Sequence, residues 1–415
     1  MNDTIYLIKK VKVTDPQSLW NDQVVDVLVE EGRVLKIAVD IDEFPNDARV
    51  FDQFHCISPG WVDPWNHGAK AGEEHHQSVA DWMVQVEKSG ITTLALSPSK
   101  MQASEPMNGM EFNPFPSGIK GVNALAFAPL SQHLEGKRMV NYGMYAQAGA
   151  VGFTDGFPNH AKTALTLEAA KYTSIMPNQH MWNVLPEPDF GRNYQIWEGV
   201  SALTMGLDGM PNFVESEYLQ NLSNLTEYTN KKMVYPLLSS TMNIPNSKWS
   251  NGIILGTAPH YFWWSDSVMQ DFSEQFKFWP PLAPDLSLDN WFQAFKSGLI
   301  SFLCSDHRPW HPDSIDLPFP MVPFGQSTLA NFTLAAWTKL KERMSPAEFV
   351  QVISIGARAA LGLAEQRVEE GMEAEFTFWN PDGHTPAESK SPWVNHILSG
   401  QIEGRMLKNQ LYPLN

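Results

Sequence analysis

Residues 58–67 carry the sequence SPGWVDPWNH, in which a short apolar run, Gly60–Asp63, leads directly into polar and aromatic residues. Similar short apolar runs recur along the chain and alternate with stretches of helical pattern. Strand–helix alternation over about 300 residues is typical of parallel strands closed into a barrel. We therefore predict an α/β chain built on a (β/α)₈ TIM-type barrel. The further runs are TTLAL at 92–96, ALAF at 124–127, AVGF at 150–153, MVYPL at 233–237 and ISFLC at 300–304.

Both ends of the chain show the alternation of apolar and polar residues that is typical of half-buried strands. Near the amino end these stretches flank the turn Glu31-Gly32-Arg33, and near the carboxyl end the pattern returns at 375–379 and 404–407. We predict a small β-sandwich built from both termini. The predicted domains are a discontinuous β-sandwich, 1–58 plus 365–415, and a metal-dependent-hydrolase-type barrel, 59–364.

Composition limits the classes of protein to which the chain can belong. It has 415 residues, of which 43% are hydrophobic and 18% charged, and this balance excludes intrinsic disorder. The net charge of −17 repels nucleic acid and anionic membranes, so we expect neither as a partner. No apolar run approaches the ~18 residues of a membrane span, and the opening MNDTIYLIKK lacks a signal core, which favours a cytoplasmic protein. The two cysteines, Cys56 and Cys304, have apolar neighbours and are predicted to be reduced and buried.

The segment 58–67, with Ala71-Gly72-Glu73-Glu74-His75 after it, resembles the first barrel strand of the dihydroorotase family. The resemblance implies a barrel of the amidohydrolase kind with a β-sandwich, and a hydrolase that acts on cyclic amides. It covers nearly the whole chain. Further matching segments follow in the family's order: AGAVGFTD at 148–155, Pro259-His260, FKFWPPL at 276–282, SDHRP at 305–309, Pro323-Phe324-Gly325, ARAALGL at 357–363 and the turn at Gly371.

Two metal-ligand positions of the family are replaced in this sequence. The family's first strand carries a His-x-His pair, because residues two apart on a strand point the same way and can reach one ion. Here the segment is Trp65-Asn66-His67, and an indole offers no lone pair to a metal. On the sixth strand the family places a histidine before a Ser/Thr pair, and this chain has Leu238 there.

The remaining ligand positions implied by the resemblance are His67, Asp155, His180 and Asp306. Asp306 matches the carboxylate that contacts metal and acts as general base. His67 and Asp306 serve either as metal ligands or as hydrogen-bonded polar residues at strand ends, and both alternatives stay open. Asp155 is either a ligand or a turn-forming residue before Gly156, and His180 fits a structural histidine better than a ligand.

The positions that anchor the substrate in the family have changed as well. The family binds its substrate's carboxylate with an arginine and an asparagine, and the equivalent positions here are Ala69 and Ser99. His260 and Lys277 lie in family segments of the seventh-strand region, and we interpret them as residues that hold loops in place. We expect dihydroorotate to find few anchors in this chain.

These replacements support two hypotheses. In the first, the chain is a pseudoenzyme with no cofactor that forms a homodimer. It would act as a structural or regulatory partner in pyrimidine biosynthesis, for example of aspartate carbamoyltransferase, as inactive members of the family do. In the second, it is an active amidohydrolase of changed specificity that uses one zinc ion held by His67, Asp155 and Asp306, with Asp306 also as general base.

Overall fold

The computed structural model describes residues 4–68, 75–99, 120–186, 194–242, 252–284, 287–314 and 317–414. Of the predicted site positions, Ala69 lies outside these residues, and the segment 71–75 of the family resemblance is described only at His75. Both cysteines are free and buried, which confirms their prediction. Across the described residues, no helix combines the length and apolar character needed to cross a membrane.

The amino-terminal region consists of short strands with alternating burial. In β1, for example, the apolar side chains of Ile8, Val11 and Val13 are buried, while Lys10 between them is exposed. β1 and β2 pair in antiparallel fashion, and β5 continues almost directly into the first strand of the next region. The five strands are β1 (Tyr6–Val13), β2 (Val24–Glu30), β3 (Arg33–Ala38), β4 (Arg49–Phe51) and β5 (Cys56–Pro59).

The middle of the chain is built on parallel strands. β6, β7 and β8 form a three-stranded parallel sheet, and β9, β10, β13, β14 and β15 form a five-stranded parallel sheet. β11 and β12 form a separate small pair. These ten strands are β6 (Trp61–Asn66), β7 (Ile91–Leu96), β8 (Asn123–Ala126), β9 (Gly152–Phe153), β10 (His180–Trp182), β11 (Ile196–Trp197), β12 (Gly209–Met210), β13 (Met233–Tyr235), β14 (Ile253–Thr257) and β15 (Ile300–Leu303).

Isolated bridges connect the two parallel sheets at both edges. Asn66 at the end of β6 bridges to His307, which follows β15, and Ala128 after β8 bridges to Phe153 of β9. The α/β class is thus observed. Since the strands are assigned to two sheets rather than to one continuous ring, the closed barrel stays a prediction.

Helices connect most of these strands. The first, α1, begins after Ser78, whose hydroxyl accepts a hydrogen bond from the Asp81 backbone N–H, and it ends at Gly90 in the left-handed conformation that favours glycine. The aromatic run 261–264 lies on and beside α6, where Tyr261, Phe262 and Trp263 are buried. The helices are α1 (Val79–Ser89), α2 (Tyr142–Gln147), α3 (Thr163–Thr173), α4 (Val200–Met205), α5 (Val214–Thr229), α6 (His260–Trp263), α7 (Leu288–Lys296), α8 (Phe332–Leu340), α9 (Pro346–Val350) and α10 (Gly356–Ala360).

The carboxyl-terminal strands join the amino-terminal ones in a single eight-stranded sheet. They are β16 (Phe376–Pro386), β17 (Ile397–Leu407) and β18 (Gln410–Pro413), and the strand order is β18-β17-β16-β5-β1-β2-β3, with β4 beside β1. β16 pairs with β5 in antiparallel fashion. The two ends of the chain therefore share one sheet, which has its own apolar cluster, separate from the larger cluster around the parallel strands.

A buried ion pair links the terminal sheet to the parallel strands. Glu375, just before β16, accepts two hydrogen bonds from the guanidinium of Arg358 on α10, at 3.0 and 2.8 Å. The same carboxylate accepts hydrogen bonds from the hydroxyls of Thr92 and Thr93 on β7, each at 2.7 Å. These four donors all come from the parallel-strand region, so the carboxylate joins the two parts of the chain.

Candidate functional site

The candidate site lies where parallel strands end. His67 follows β6, Asp155 follows β9 and Asp306 follows β15, each within three residues of the strand's last residue. The carboxyl ends of parallel strands meet at one edge of a sheet, and in folds of this class that edge carries the active site. The structure therefore brings these three predicted residues to the same end of the parallel strands.

Trp65 fills the interior beneath this edge. Its ring is fully buried and stacks on Trp182 of β10, with the ring centroids 6.0 Å apart and the planes 3° apart. Phe127 lies 5.8 Å from Trp65, and the His67 ring meets the indole edge-on at 5.1 Å. The predicted loss of the first-strand ligand is thus accompanied by a packed stack of aromatic rings.

His67 is held in place by its neighbours. Its ring Nδ1 lies 2.6 Å from the hydroxyl oxygen of Ser97, which follows β7, and its backbone N–H donates to the carbonyl of His307. Ser99, one of the predicted substrate-anchor positions, is buried two residues beyond Ser97. His67 is therefore a buried, hydrogen-bonded residue at the edge of the strands.

Both carboxylate oxygens of Asp155 are engaged by one backbone segment. Oδ1 accepts from the backbone N–H groups of Leu130 and Ser131 at 2.9 and 2.7 Å, and Oδ2 accepts from the Ser131 hydroxyl at 2.5 Å. Burial raises the pKa of Asp155 above its usual range, and these hydrogen bonds oppose the rise. The carboxylate of Asp155 therefore holds the segment after β8 in place, while its predicted role in a turn before Gly156 stays a prediction.

His180 lies apart from the other three residues. It is the first residue of β10, whereas His67, Asp155 and Asp306 follow the last residues of their strands. Its Nδ1 lies 2.8 Å from the carbonyl of Ala360 at the end of α10, and burial lowers its pKa. His180 is therefore a buried, hydrogen-bonded histidine at the start of β10, and its part in a metal site stays a prediction.

Leu238 occupies the sixth-strand position as an apolar side chain. It is 1% exposed and lies three residues after β13. Its backbone N–H and carbonyl bond to β14, where the carbonyl accepts from the Thr257 hydroxyl at 2.8 Å. The residue is thus part of the core at the point where the family has an imidazole.

Asp306 pairs with Arg308, a residue for which the sequence predicted no role. Its Oδ1 accepts a hydrogen bond from Nη2 of Arg308 at 3.0 Å, and both side chains are buried. Burial raises the pKa of Asp306 to about 6, the positive charge of Arg308 lowers it and the nearby Asp63 raises it. Arg308 lies within the quoted segment SDHRP, and a permanently charged side chain in a buried strand-end segment was the signal that could have identified it.

His260 also belongs to this site, which corrects its interpretation as a loop-fixing residue. Its Nε2 lies 4.0 Å from Oδ2 of Asp306, and its ring stacks on Phe278 with centroids 3.8 Å apart. Burial, with the charge of Arg308, lowers the pKa of His260 well below its usual range, so the imidazole is neutral. Lys277, by contrast, fits its predicted role, because its ammonium donates to the carbonyls of Phe319 and Val322.

These positions do not fit a metal site. Within the described ranges, no three His, Cys, Asp or Glu side chains are grouped so that they could hold an ion. Asp155 directs both oxygens to the segment after β8, and Asp306 directs one oxygen to Arg308. The zinc site of the second hypothesis, with His67, Asp155 and Asp306 as ligands, is therefore not formed by these residues as they are placed.

The chain is similar to curated dihydroorotases over most of its length. No protein-family model matches the sequence. The dihydroorotase of Elusimicrobium minutum is 24% identical over 422 residues, covering 98% of this chain and 97% of that protein. The dihydroorotase of Acetivibrio thermocellus is 24% identical over 378 residues, covering 89% of this chain and 88% of that protein.

Solved structures show the same fold. The L-hydantoinase (dihydropyrimidinase) from Arthrobacter aurescens has a TM-score of 0.77 at 16% identity, covering 98% of this chain and 95% of its own. The dihydropyrimidinase from Brevibacillus agri has a TM-score of 0.74 at 14% identity, with the same coverage. The curated relatives named dihydroorotase confirm the resemblance inferred from the sequence, and the solved structures agree with it in fold.

Proposed function

We propose that this dihydroorotase homologue of the amidohydrolase superfamily has lost metal-dependent hydrolysis of cyclic amides while keeping the fold. In this proposal the chain acts as a structural or regulatory partner in pyrimidine biosynthesis. The observation that carries the proposal is the pairing of Asp306 with Arg308 at the end of β15. The carboxylate that the family resemblance assigns to metal and proton transfer is paired here with a cation of the protein itself.

The pairing opposes metal binding through electrostatics. Arg308 carries a positive charge and donates to Asp306, so the protein itself supplies a counter-charge for this carboxylate. A divalent ion bound to the same carboxylate would lie close to the guanidinium, and their repulsion in a buried site is poorly screened. Trp65 and Leu238 oppose metal binding in a second way. Both are buried at positions where the family resemblance implies imidazole ligands, and neither side chain offers a lone pair to a metal.

The proposed function assumes that the parallel strands form the predicted barrel. The bridges from Asn66 to His307 and from Ala128 to Phe153 support one ring of eight parallel strands, β6 to β10 and β13 to β15 without β11 and β12. We propose that this ring is the (β/α)₈ barrel over 59–364, and that 1–58 with 365–415 form the second domain. The α/β fold shared with hydantoinases supports this division.

Metal analysis and activity assays test the proposal together. Protein purified without chelator is expected to hold far less than one zinc ion per chain and to hydrolyse dihydroorotate and hydantoin at the background rate. The dihydroorotase of Acetivibrio thermocellus, purified in parallel, is the control for metal retention and assay sensitivity. One zinc per chain that disappears in the variants His67→Ala and Asp306→Asn, together with hydrolysis above background, would establish the single-zinc amidohydrolase instead.

A further inference from the structure

We infer that the buried cluster around Arg308 is a binding site for a small aromatic carboxylate. The inference rests on the proposed function, because a metal ion on Asp306 would change the partners of this cluster. The cluster consists of Asp306, Arg308, His260 and the ring of Phe157, and Arg308 is only 5% exposed.

Arg308 keeps donors that the protein does not use. Its Nη2 donates to Asp306, but among the described residues neither Nε nor Nη1 has a hydrogen-bond acceptor. Folded proteins rarely leave buried donors without an acceptor, and each such group calls for an explanation such as a bound molecule. The guanidinium is the side chain best suited to a carboxylate, because its planar donors match the two oxygens.

The other unpaired atoms of the cluster can satisfy one another. Oδ2 of Asp306 and both ring nitrogens of His260 lack hydrogen-bond partners in the described part of the chain. Nε2 of His260 lies 4.0 Å from that Oδ2, so a small shift of the imidazole would bring the two atoms within hydrogen-bond distance. The need that remains is for an acceptor at Arg308, and a carboxylate ligand supplies one.

The surroundings favour a ligand with an aromatic body and a negative charge. The ring centroid of Phe157 lies 4.1 Å from the guanidinium carbon, and the rings of Trp279 and Phe324 lie 6.2 Å from Phe157. Lys277 provides a second buried cation, and its ammonium lies 4.9 Å from the centroid of the Phe324 ring. Lys277 bonds to backbone carbonyls, so its positive charge is not cancelled by a bonded carboxylate in the described residues.

This site differs from the carboxylate anchor implied by the family resemblance. That anchor would use the positions of Ala69, after the first strand, and Ser99, after β7. Arg308 instead follows β15 and reaches the loop after β9 through Phe157. The ligand specificity would therefore depend on a residue outside the family's anchor positions.

Calorimetric titration with benzoate and with its neutral analogue benzamide tests the inference. We expect wild-type protein to bind one benzoate per chain and to bind benzamide at least tenfold more weakly. The variant Arg308→Lys keeps a cation beside Asp306 but loses the planar donors, and it should weaken benzoate binding at least tenfold. Arg343→Lys is the matched control, because Arg343 is half-exposed and pairs with Asp289 on the surface, and its affinity should equal that of wild type.

A second variant keeps the test decisive if Arg308→Lys does not fold. Phe157→Leu leaves the ion pair intact, removes the ring under the guanidinium and should weaken benzoate binding severalfold. Absence of benzoate binding at about 10 mM, equal binding of benzoate and benzamide, or unchanged affinity in the site variants would each overturn the inference. Zinc measured in the same samples separates the two proposals, since zinc-bound protein contradicts the proposed function and zinc-free protein without benzoate binding contradicts only this site.

Discussion

Trp65 shows at the level of one residue how a position at which the family resemblance implies a metal ligand is packed into the core. Its ring lies between Trp182, Phe127 and the edge of His67, so the indole contacts aromatic surface where an imidazole would need a metal or a hydrogen-bond partner. Among the described residues its Nε1–H has no acceptor. The gain from ring packing thus comes with one unpaired buried donor.

Restoring the two lost imidazoles is expected to leave the protein inactive. In the double variant Trp65→His with Leu238→His, Asp155 still bonds to Leu130 and Ser131, and Arg308 still neutralises Asp306. Steady-state assays with dihydroorotate should show turnover at background, even in the presence of added zinc. The variant also removes a stacked indole, so we expect it to lose roughly 3 kcal/mol or more of unfolding free energy.

The control for this experiment is Leu238→Met, which conserves volume and should change stability by less than about 1.5 kcal/mol. Appreciable dihydroorotate turnover by the double variant would show that Arg308 and the altered anchor positions matter less than the two imidazoles.

Asp155 is expected to contribute to stability rather than to metal binding. In Asp155→Asn, an amide replaces one acceptor oxygen, so at least one of the donors from Leu130 and Ser131 loses its partner. We expect a loss of about 1–3 kcal/mol in urea unfolding. Asp313→Asn serves as the exposed control and should be neutral. Unchanged stability in Asp155→Asn would contradict the role of this carboxylate in holding the segment after β8.

At the scale of elements, the ion pair between Arg358 and Glu375 is expected to be a main link between the terminal sheet and the parallel strands. Glu375→Gln leaves the buried guanidinium of Arg358 without its counter-charge, and breaking a buried pair in this way costs about 3–5 kcal/mol. Urea unfolding at neutral pH measures the loss. The matched control is the nearby exposed Glu373→Gln, which should change stability by less than about 0.5 kcal/mol.

The pair between Arg358 and Glu375 also predicts that the stability of the fold depends on pH. Burial alone would raise the pKa of Glu375, but the hydrogen bonds and charge of Arg358, with the two threonine hydroxyls, outweigh it and leave the pKa below the ordinary 4.5. A carboxyl with a lowered native pKa stabilises the fold above its unfolded pKa, and the contribution is lost as the pH falls through the native pKa. The stability difference between wild type and Glu375→Gln should therefore shrink below pH 4.5. A difference that stays constant from pH 7 to pH 3 would show that the charge of Glu375 contributes nothing.

The elements differ in how well the sequence alone predicts them. Runs rich in β-branched or aromatic residues were placed to within a few residues: the predicted strand at 92–96 is β7, Ile91–Leu96, and that at 300–304 is β15, Ile300–Leu303. β14 was missed, although its sequence IILGT begins with two β-branched residues. The contact between His260 and Asp306 could not be predicted either, since 46 positions separate them and only the tertiary fold brings them to 4.0 Å.

The whole molecule combines a buried candidate site with a sheet to which both termini contribute. The residues that the family resemblance links to chemistry are buried, so a protein partner would bind at the outer surface, which measures 18053 Å² in total. A specific interface needs about 800 Å² from each partner, so a homodimer contact and a second protein contact would together take about a tenth of that surface. The surface of the chain is therefore large enough for both proposed contacts.

We predict that the chain is a homodimer that also binds a pyrimidine-pathway enzyme, with aspartate carbamoyltransferase as the first partner to test. Light scattering should give twice the chain mass, and the dimer should capture aspartate carbamoyltransferase from a purified mixture. The variants Trp65→His with Leu238→His, and Arg308→Lys, change only buried positions, so where they fold they should dimerise and bind the partner like wild type. If these variants bind like wild type, the interface does not depend on the buried site, as expected for a scaffold. A monomer that captures no partner and hydrolyses a cyclic amide above background would instead show that the buried site carries the function.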